Sequence, residues 1–216
     1  MIRPFGLNDI GLVRRLQRDG MSLAMEHMLA HPHQPLWTAL TAPWPWAGVG
    51  VASFVLDERV NGRRLTGFVQ LMKRAARPEA DLLHLAPVVA AVDDEIAAAR
   101  PGHDPAVCDT DGAVIWSKLL AYCQRAAAGH GLQRIYASTP EGCAEQQCLR
   151  DATFSPYTRE TIYRLAAAPS AGGALVGFRP QTPQDSWALQ RLYTRGTPRL
   201  VQQAEGALTG EVGSPP

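Results

Sequence analysis

His27 and His31 stand four residues apart, with Glu26 and His33 beside them. In a helix that spacing puts both imidazoles on one face, where they could ligate a metal ion. No second cluster completes such a site, so no metal is expected. The four cysteines, Cys108, Cys123, Cys143 and Cys148, show no CxxC spacing. They are expected as buried or free thiols in a reducing, cytoplasmic compartment. Trp37, Trp44 and Trp46 fall in the proline-rich run 32–48. There they could line an acceptor pocket, form a patch for a partner, or be buried under a loop. Between Val88 and Ser117 lie Asp93, Asp94, Glu95, Asp104, Asp109 and Asp111, against Arg100 alone. That run disfavours an anionic ligand. At roughly 5–8 Å each like-charge contact costs about 0.5–3 kcal/mol. A helix N-terminus returns only about 0.3–2 kcal/mol to an anion.

The bulk values narrow the function classes. A chain of 216 residues with 46% hydrophobic and 19% charged residues can bury a core and make one or two domains. A formal net charge of +1 gives no electrostatic basis for binding nucleic acid or an anionic membrane. No apolar run approaches the roughly 18 residues of a membrane span, and no secretory signal core follows Met1.

These groups need elements to hold them. Ile2 to Phe5 is a short apolar start, and Asn8 or Asp9 can cap a helix carrying Ile10, Val13 and Leu16 at helical spacing. The spacing predicts a second helix over 21–29, stopped by Pro32, and an irregular segment over 32–48. Residues 49–56 and 65–72 read as a hairpin around Asn61-Gly62, and 81–89 (DLLHLAPVV) as a third strand. Ile115, Trp116, Leu119, Leu120, Cys123 and Ala127 define one apolar helix face. Gly129-His130-Gly131 ends that helix, and Asp109 or Asp111 can cap its start. A strand over 132–138, a helix over 141–151 and a closing strand pair over 154–165 follow. The class is α+β, or mixed α/β.

After a small-residue linker at 168–177 the chain starts again. Residues 2–20 (IRPFGLNDIGLVRRLQRDG) align without gaps on 178–196 (FRPQTPQDSWALQRLYTRG), with Arg, Pro, Asp, Arg, Leu and Gly coincident. The expected organisation is a domain over 1–167 and, at 178–216, the start of a second repeat with an unstructured tail. One strand and one helix do not make a domain. The chain therefore reads as a truncated two-domain protein or as one whose last segment docks on the first domain. The apolar Trp187, Leu189 and Leu192 need cover from docking or self-association.

With IRP and its helix, DLLHLAPVV, LLAYCQRAAAGHGLQRIYAS and FSPYTRETIYRL in this order, residues 2–165 resemble the GNAT superfamily of acyl-CoA-dependent N-acetyltransferases. The restart at Phe178 resembles its tandem members. The resemblance implies a central mixed, mostly antiparallel sheet flanked by helices, acetyl-CoA as acyl donor and a small amine of unknown identity as acceptor. It implies that the backbone of Leu85, Ala86 and Val88 lies along the pantetheine arm, and that Asp111, Gly112 and Ala113 stand at the pyrophosphate loop. Glu58, Asp57 and His84 are the groups nearest the family's general base, and Tyr136 is a spare phenol for an acid.

The chain departs from that pattern where the coenzyme would bind. The family's Q/R-x-x-G-x-G/A loop, which lets backbone N–H groups approach phosphates, has Asp111, Val114 and Trp116 at its determining positions. The family's Asn and acidic Tyr positions fall on Gly142 and Leu149. The expectation is a half degenerate in coenzyme binding, acting as a scaffold or acceptor-side domain beside a second GNAT domain. The alternatives are an active acyltransferase with a reshaped site, whose cleft between 81–89 and 132–138 stays open, and a non-enzymatic module using the tryptophan-rich segment.

Overall fold

A computed structural model describes residues 1–24, 34–41, 50–60, 63–75, 77–91, 110–163 and 179–205. The chain divides into two compact units, Met1–Phe154 and Ser155–Pro216. The expected linker at 168–177 lies outside the described residues.

The first unit is a mixed α+β layer structure. Its strands are β1 (Ile2–Pro4), β2 (Met21–Ser22), β3 (Val51–Val60), β4 (Arg63–Lys73), β5 (Glu79–Ala91) and β6 (Arg134–Tyr136). They form one sheet in the order β1-β3-β4-β5-β2, all antiparallel, with β6 pairing β5 in parallel. The long meander β3-β4-β5 is its centre. Val60 opposite Arg63 closes the β3–β4 hairpin over two residues, as Asn61-Gly62 suggests.

Helix α3 (Thr110–Gly129) covers one face and helices α1 (Ile10–Asp19) and α2 (Pro35–Thr41) pack with the other. On the α3 side Ile115, Trp116, Leu119 and Leu120 meet Leu71, Leu82 and Leu85 in the larger core. Gly67 of β4 allows that approach: a Cβ there would lie 2.8 Å from Leu119 Cδ1 and 2.9 Å from Ile115 Cγ2. On the α1 side Val13 and Leu16 meet Phe5, Val55, Phe68 and Ala86.

Leu82 and Leu85 share the α3 face although three residues apart, which strict alternation forbids. The register explains it: Gln70 opposes His84 but Leu71 opposes Leu82, so Leu83 is the extra residue of a β-bulge. The bulge turns His84 toward Phe68 on the α1 side, with ring centroids 6.0 Å apart.

Four expectations are corrected. Residues 21–22 are a strand and not the start of a helix, because Gly20 is extended (φ −91°, ψ 157°) and delivers Met21 and Ser22 to the edge of β5. The run 32–48 is not wholly irregular. Pro35 opens α2, where its missing N–H costs nothing, and Ala39 is buried on the helix below it. Gln70 Nε2 then donates to Pro35 O at 3.0 Å and Ser53 Oγ at 2.9 Å, tying α2 to the sheet. Residues 154–163 form no strand pair; Ile162 and Tyr163 are exposed. A ladder needs a second strand alongside, and no strand of the described sheet pairs with this segment. The expected 141–151 helix is shorter, α4 (Glu145–Asp151).

In the second unit a 3-10 turn at Pro183–Asp185 leads into α5 (Ser186–Gly196), followed by α6 (Arg199–Ala204). Its entry has the local form of the entry to α1. Arg3 donates to both Asp9 oxygens at 2.6 Å, and Gly6 N–H to Asp9 Oδ2 at 2.9 Å. Arg179 donates to both Asp185 oxygens at 2.7 Å, and Thr182 N–H to Asp185 Oδ2 at 2.9 Å.

Candidate functional site

The candidate site is the outer edge of β5, where the strand changes partners. Over Glu79–Asp81 it pairs in parallel with Arg134–Tyr136. Immediately beyond, β2 takes the edge, with Ser22 opposite His84 and Met21 opposite Leu85. Leu23 then links both sides. Its N–H donates to Leu83 O at 2.9 Å, and its carbonyl accepts from Ser138 N–H at 2.6 Å. Ser22 Oγ adds a longer bond to Leu83 O at 3.4 Å. The carbonyl of the bulged Leu83, turned away from β4, is thus satisfied by the chain's own segment, and the Leu23 side chain is buried in the α3-side core.

The close packing of this corner starts at Gly20. A Cβ there would stand 2.2 Å from His84 Nε2 and 2.6 Å from Ala86 Cβ. Only a glycine lets α1 end directly against β5 and feed β2 into place.

Below the fork lies an ionic cluster on the α1 side of the sheet. Glu79 is 2% exposed and faces three guanidiniums: Arg134 at 3.3 Å, Arg74 at 3.6 Å and Arg77 at 3.7 Å. Arg74 also pairs with Asp81 at 2.6 Å and lies 4.1 Å above the centre of the Tyr136 ring. Burial, and then the negative Glu79, push the Tyr136 phenol up to about 12 from an ordinary 10.0. Tyr136 is therefore firmly protonated, and it is held inside an ion cluster that binds β6 to β5. This arrangement suits a structural joint better than a proton donor to an incoming molecule.

The other expected positions do not converge on Tyr136. His84 is buried at the β2–β5 pair. Glu58 sits on β3, where Lys118 of α3 and the N-terminal ammonium hold its carboxylate below the usual range. Asp57 beside it is held low by Arg64, at 2.9 Å. Leu85 and Ala86 are buried in opposite cores, and Leu85 already pairs with Met21 on one side and Val69 on the other. Val88 pairs with Thr66.

At the start of α3, Asp111 is inside the first turn and not at the cap; Asp109 lies outside the described residues. Gly112 is buried, Ala113 packs against the core, and Val114 is exposed. Trp116 is wholly buried, and its Nε1 has no acceptor among the described residues. Leu149 is in the core. Gly142 makes a left-handed turn (φ 77°) before α4.

His27, His31, His33, Trp44 and Trp46 lie outside the described residues, while Trp37 on α2 is 66% exposed. Among the described residues no three His, Cys, Asp or Glu side chains gather as a metal would need, and no helix is long and apolar enough to cross a membrane. Cys123 is fully buried, which pushes its thiol well above the usual range and leaves it unreactive.

Sequence reasoning missed the most informative residues here. Ser22 and Leu23 act through backbone groups, which no residue type announces. Glu79 was invisible as a partner of Tyr136 because the two are brought together only by the parallel β5–β6 register. No family model, curated protein or solved structure matches this chain.

Proposed function

We propose that the first unit is a GNAT-like N-acetyltransferase domain that has lost its coenzyme site and serves as a scaffold or acceptor-side domain for a second, competent one. The mostly antiparallel sheet with α3 across one face and a single parallel strand after it supports the family reading. The observation that carries the loss of function is the Leu23 bridge. In that family the pantetheine arm would lie along the edge of the 81–89 strand, and here Leu83 and Leu85 already spend their edge groups on Met21, Ser22 and Leu23. Acetyl-CoA therefore does not fit this edge as it stands. Asp111 in the first turn of α3, the buried Trp116 and the buried Leu149 point the same way, since none supplies a phosphate cradle or a proton.

Calorimetry with acetyl-CoA and with free coenzyme A tests the reading. The expected result is no saturable heat up to millimolar ligand. Micromolar binding together with acetylation of an amine would overturn it.

A further inference from the structure

The second unit repeats the entry of the first, and no strand is seen among its described residues. Position by position, Arg179, Pro180, Asp185, Leu192 and Gly196 stand where Arg3, Pro4, Asp9, Leu16 and Gly20 stand, and Leu189 stands for Val13. The bidentate Arg–Asp pair and the N–H to carboxylate bond agree within 0.1 Å between the two copies. That staple fixes the angle at which a helix leaves an extended segment. In the first copy it aims Val13 and Leu16, both buried, at the sheet face of Val55, Phe68 and Ala86. In the second copy Leu189 and Leu192 are 43% and 69% exposed.

The terminal glycine is the sharper sign. Gly20 is required because His84 and Ala86 of β5 touch the place of its missing Cβ. Gly196 has nothing within 4 Å of that place. A glycine at a helix end with no neighbour and no left-handed backbone costs conformational entropy without local return.

We propose that the Leu189–Leu192 face of α5, ending at Gly196, is a sheet-docking surface. Its partner is the apolar face of an antiparallel β-sheet built like β3-β4-β5, with one strand running directly against Gly196. The inference rests on the local repeat and not on the acyl-transfer reading, so either can fail alone.

The test grafts residues 186–196 in place of 10–20 within the full 216-residue chain and uses the chain's own β3-β4-β5 sheet as the probe. Hydrogen exchange is read on the grafted helix and on the sheet. The expected result is helix protection within about tenfold of that of native α1, lost when the glycine ending the graft is replaced by leucine. A grafted helix that exchanges freely on a protected sheet would overturn the proposal. Should the full graft not fold, a chain carrying only Ile10→Ser, Leu12→Ala and Val13→Leu decides in the same way, by retained or lost protection of α1. Sedimentation of the unaltered chain supplies the other arm. A concentration-dependent dimer abolished by Leu192→Asp would assign the face to a second copy of this chain and overturn the sheet partner; a monomer unaffected by that change is expected.

Discussion

Leu23 and Ser138 are joined backbone to backbone, the Ser138 N–H donating to the Leu23 carbonyl at 2.6 Å, while the Leu23 N–H reaches Leu83 on the opposite strand at 2.9 Å. One residue thus bridges β5 and the chain leaving β6, just past their last direct pair at Asp81 and Tyr136. Leu23→Ala keeps both hydrogen bonds and empties a buried side-chain site, so a loss of about 2–5 kcal/mol is expected. Leu23→Pro removes the N–H as well and should cost more, through the carbonyl of Leu83 left without its main donor. Urea denaturation gives the energies. Exchange at the Ser138 amide reads the bridge itself: protection should fall by orders of magnitude in the proline variant and much less in the alanine variant.

Two glycines should respond differently to the same substitution. Gly20→Ala places a Cβ 2.2 Å from His84 Nε2 and 2.6 Å from Ala86 Cβ, an overpacking expected to cost about 1–3 kcal/mol. Gly196→Ala enters open space at the end of α5 and should be neutral, or stabilise the isolated chain by up to about 1 kcal/mol. Thermal melts of the two variants against the parent chain are enough to compare them.

How much of this was legible follows from what kind of signal each element carries. The strands of the meander and helix α3 announce themselves through long apolar patterns, and α3 buries the face that its sequence marks, Ile115 through Ala127. Helix α2 was hidden because Pro35 reads as a breaker when it is in fact a first-turn residue. The strand Met21–Ser22 was hidden for a deeper reason. Two residues carry no period, and their conformation is decided by the vacant edge of β5, sixty residues away in sequence. The bulge at Leu83 is equally silent in an apolar run, although it decides which face His84 joins. The candidate catalytic groups were chosen by type, and type does not reveal that Glu58 is held by Lys118 or Tyr136 by Glu79 and Arg74.

The Arg3–Asp9 pair makes acid stability asymmetric between the two copies. Burial acts to raise the Asp9 pKa, but the hydrogen bonds from Arg3 and the Gly6 N–H outweigh it and set the folded value below the ordinary 3.8. The stabilisation is therefore complete above 3.8 and disappears as pH falls through the lower, folded value. Asp9→Asn should cost about 1.5–3 kcal/mol at neutral pH, the scale of a charge-assisted bond to a buried carboxylate, and should flatten the acid limb of the unfolding profile of the first unit. Asp185 is held low by the corresponding partners, Arg179 and the Thr182 N–H, but its side chain is 27% exposed against 6% for Asp9. Asp185→Asn should leave that acid limb unchanged.

Glu79 links stability to a spectroscopic signal. Its carboxylate is buried among Arg74, Arg77 and Arg134, which keep partial contact with solvent, so Glu79→Gln removes a charge-assisted partner at the β5–β6 joint and should cost about 1.5–3 kcal/mol. The same change removes a negative neighbour that disfavours the Tyr136 phenolate. Burial is the larger cause of that phenol's rise to about 12 and remains in the variant, so the titration should move down only part of the way toward 10. Ultraviolet difference absorbance of tyrosinate under alkaline titration measures it, with Tyr136→Phe identifying the transition. A Tyr136 titration unmoved by Glu79→Gln would show that the phenol does not sense the cluster.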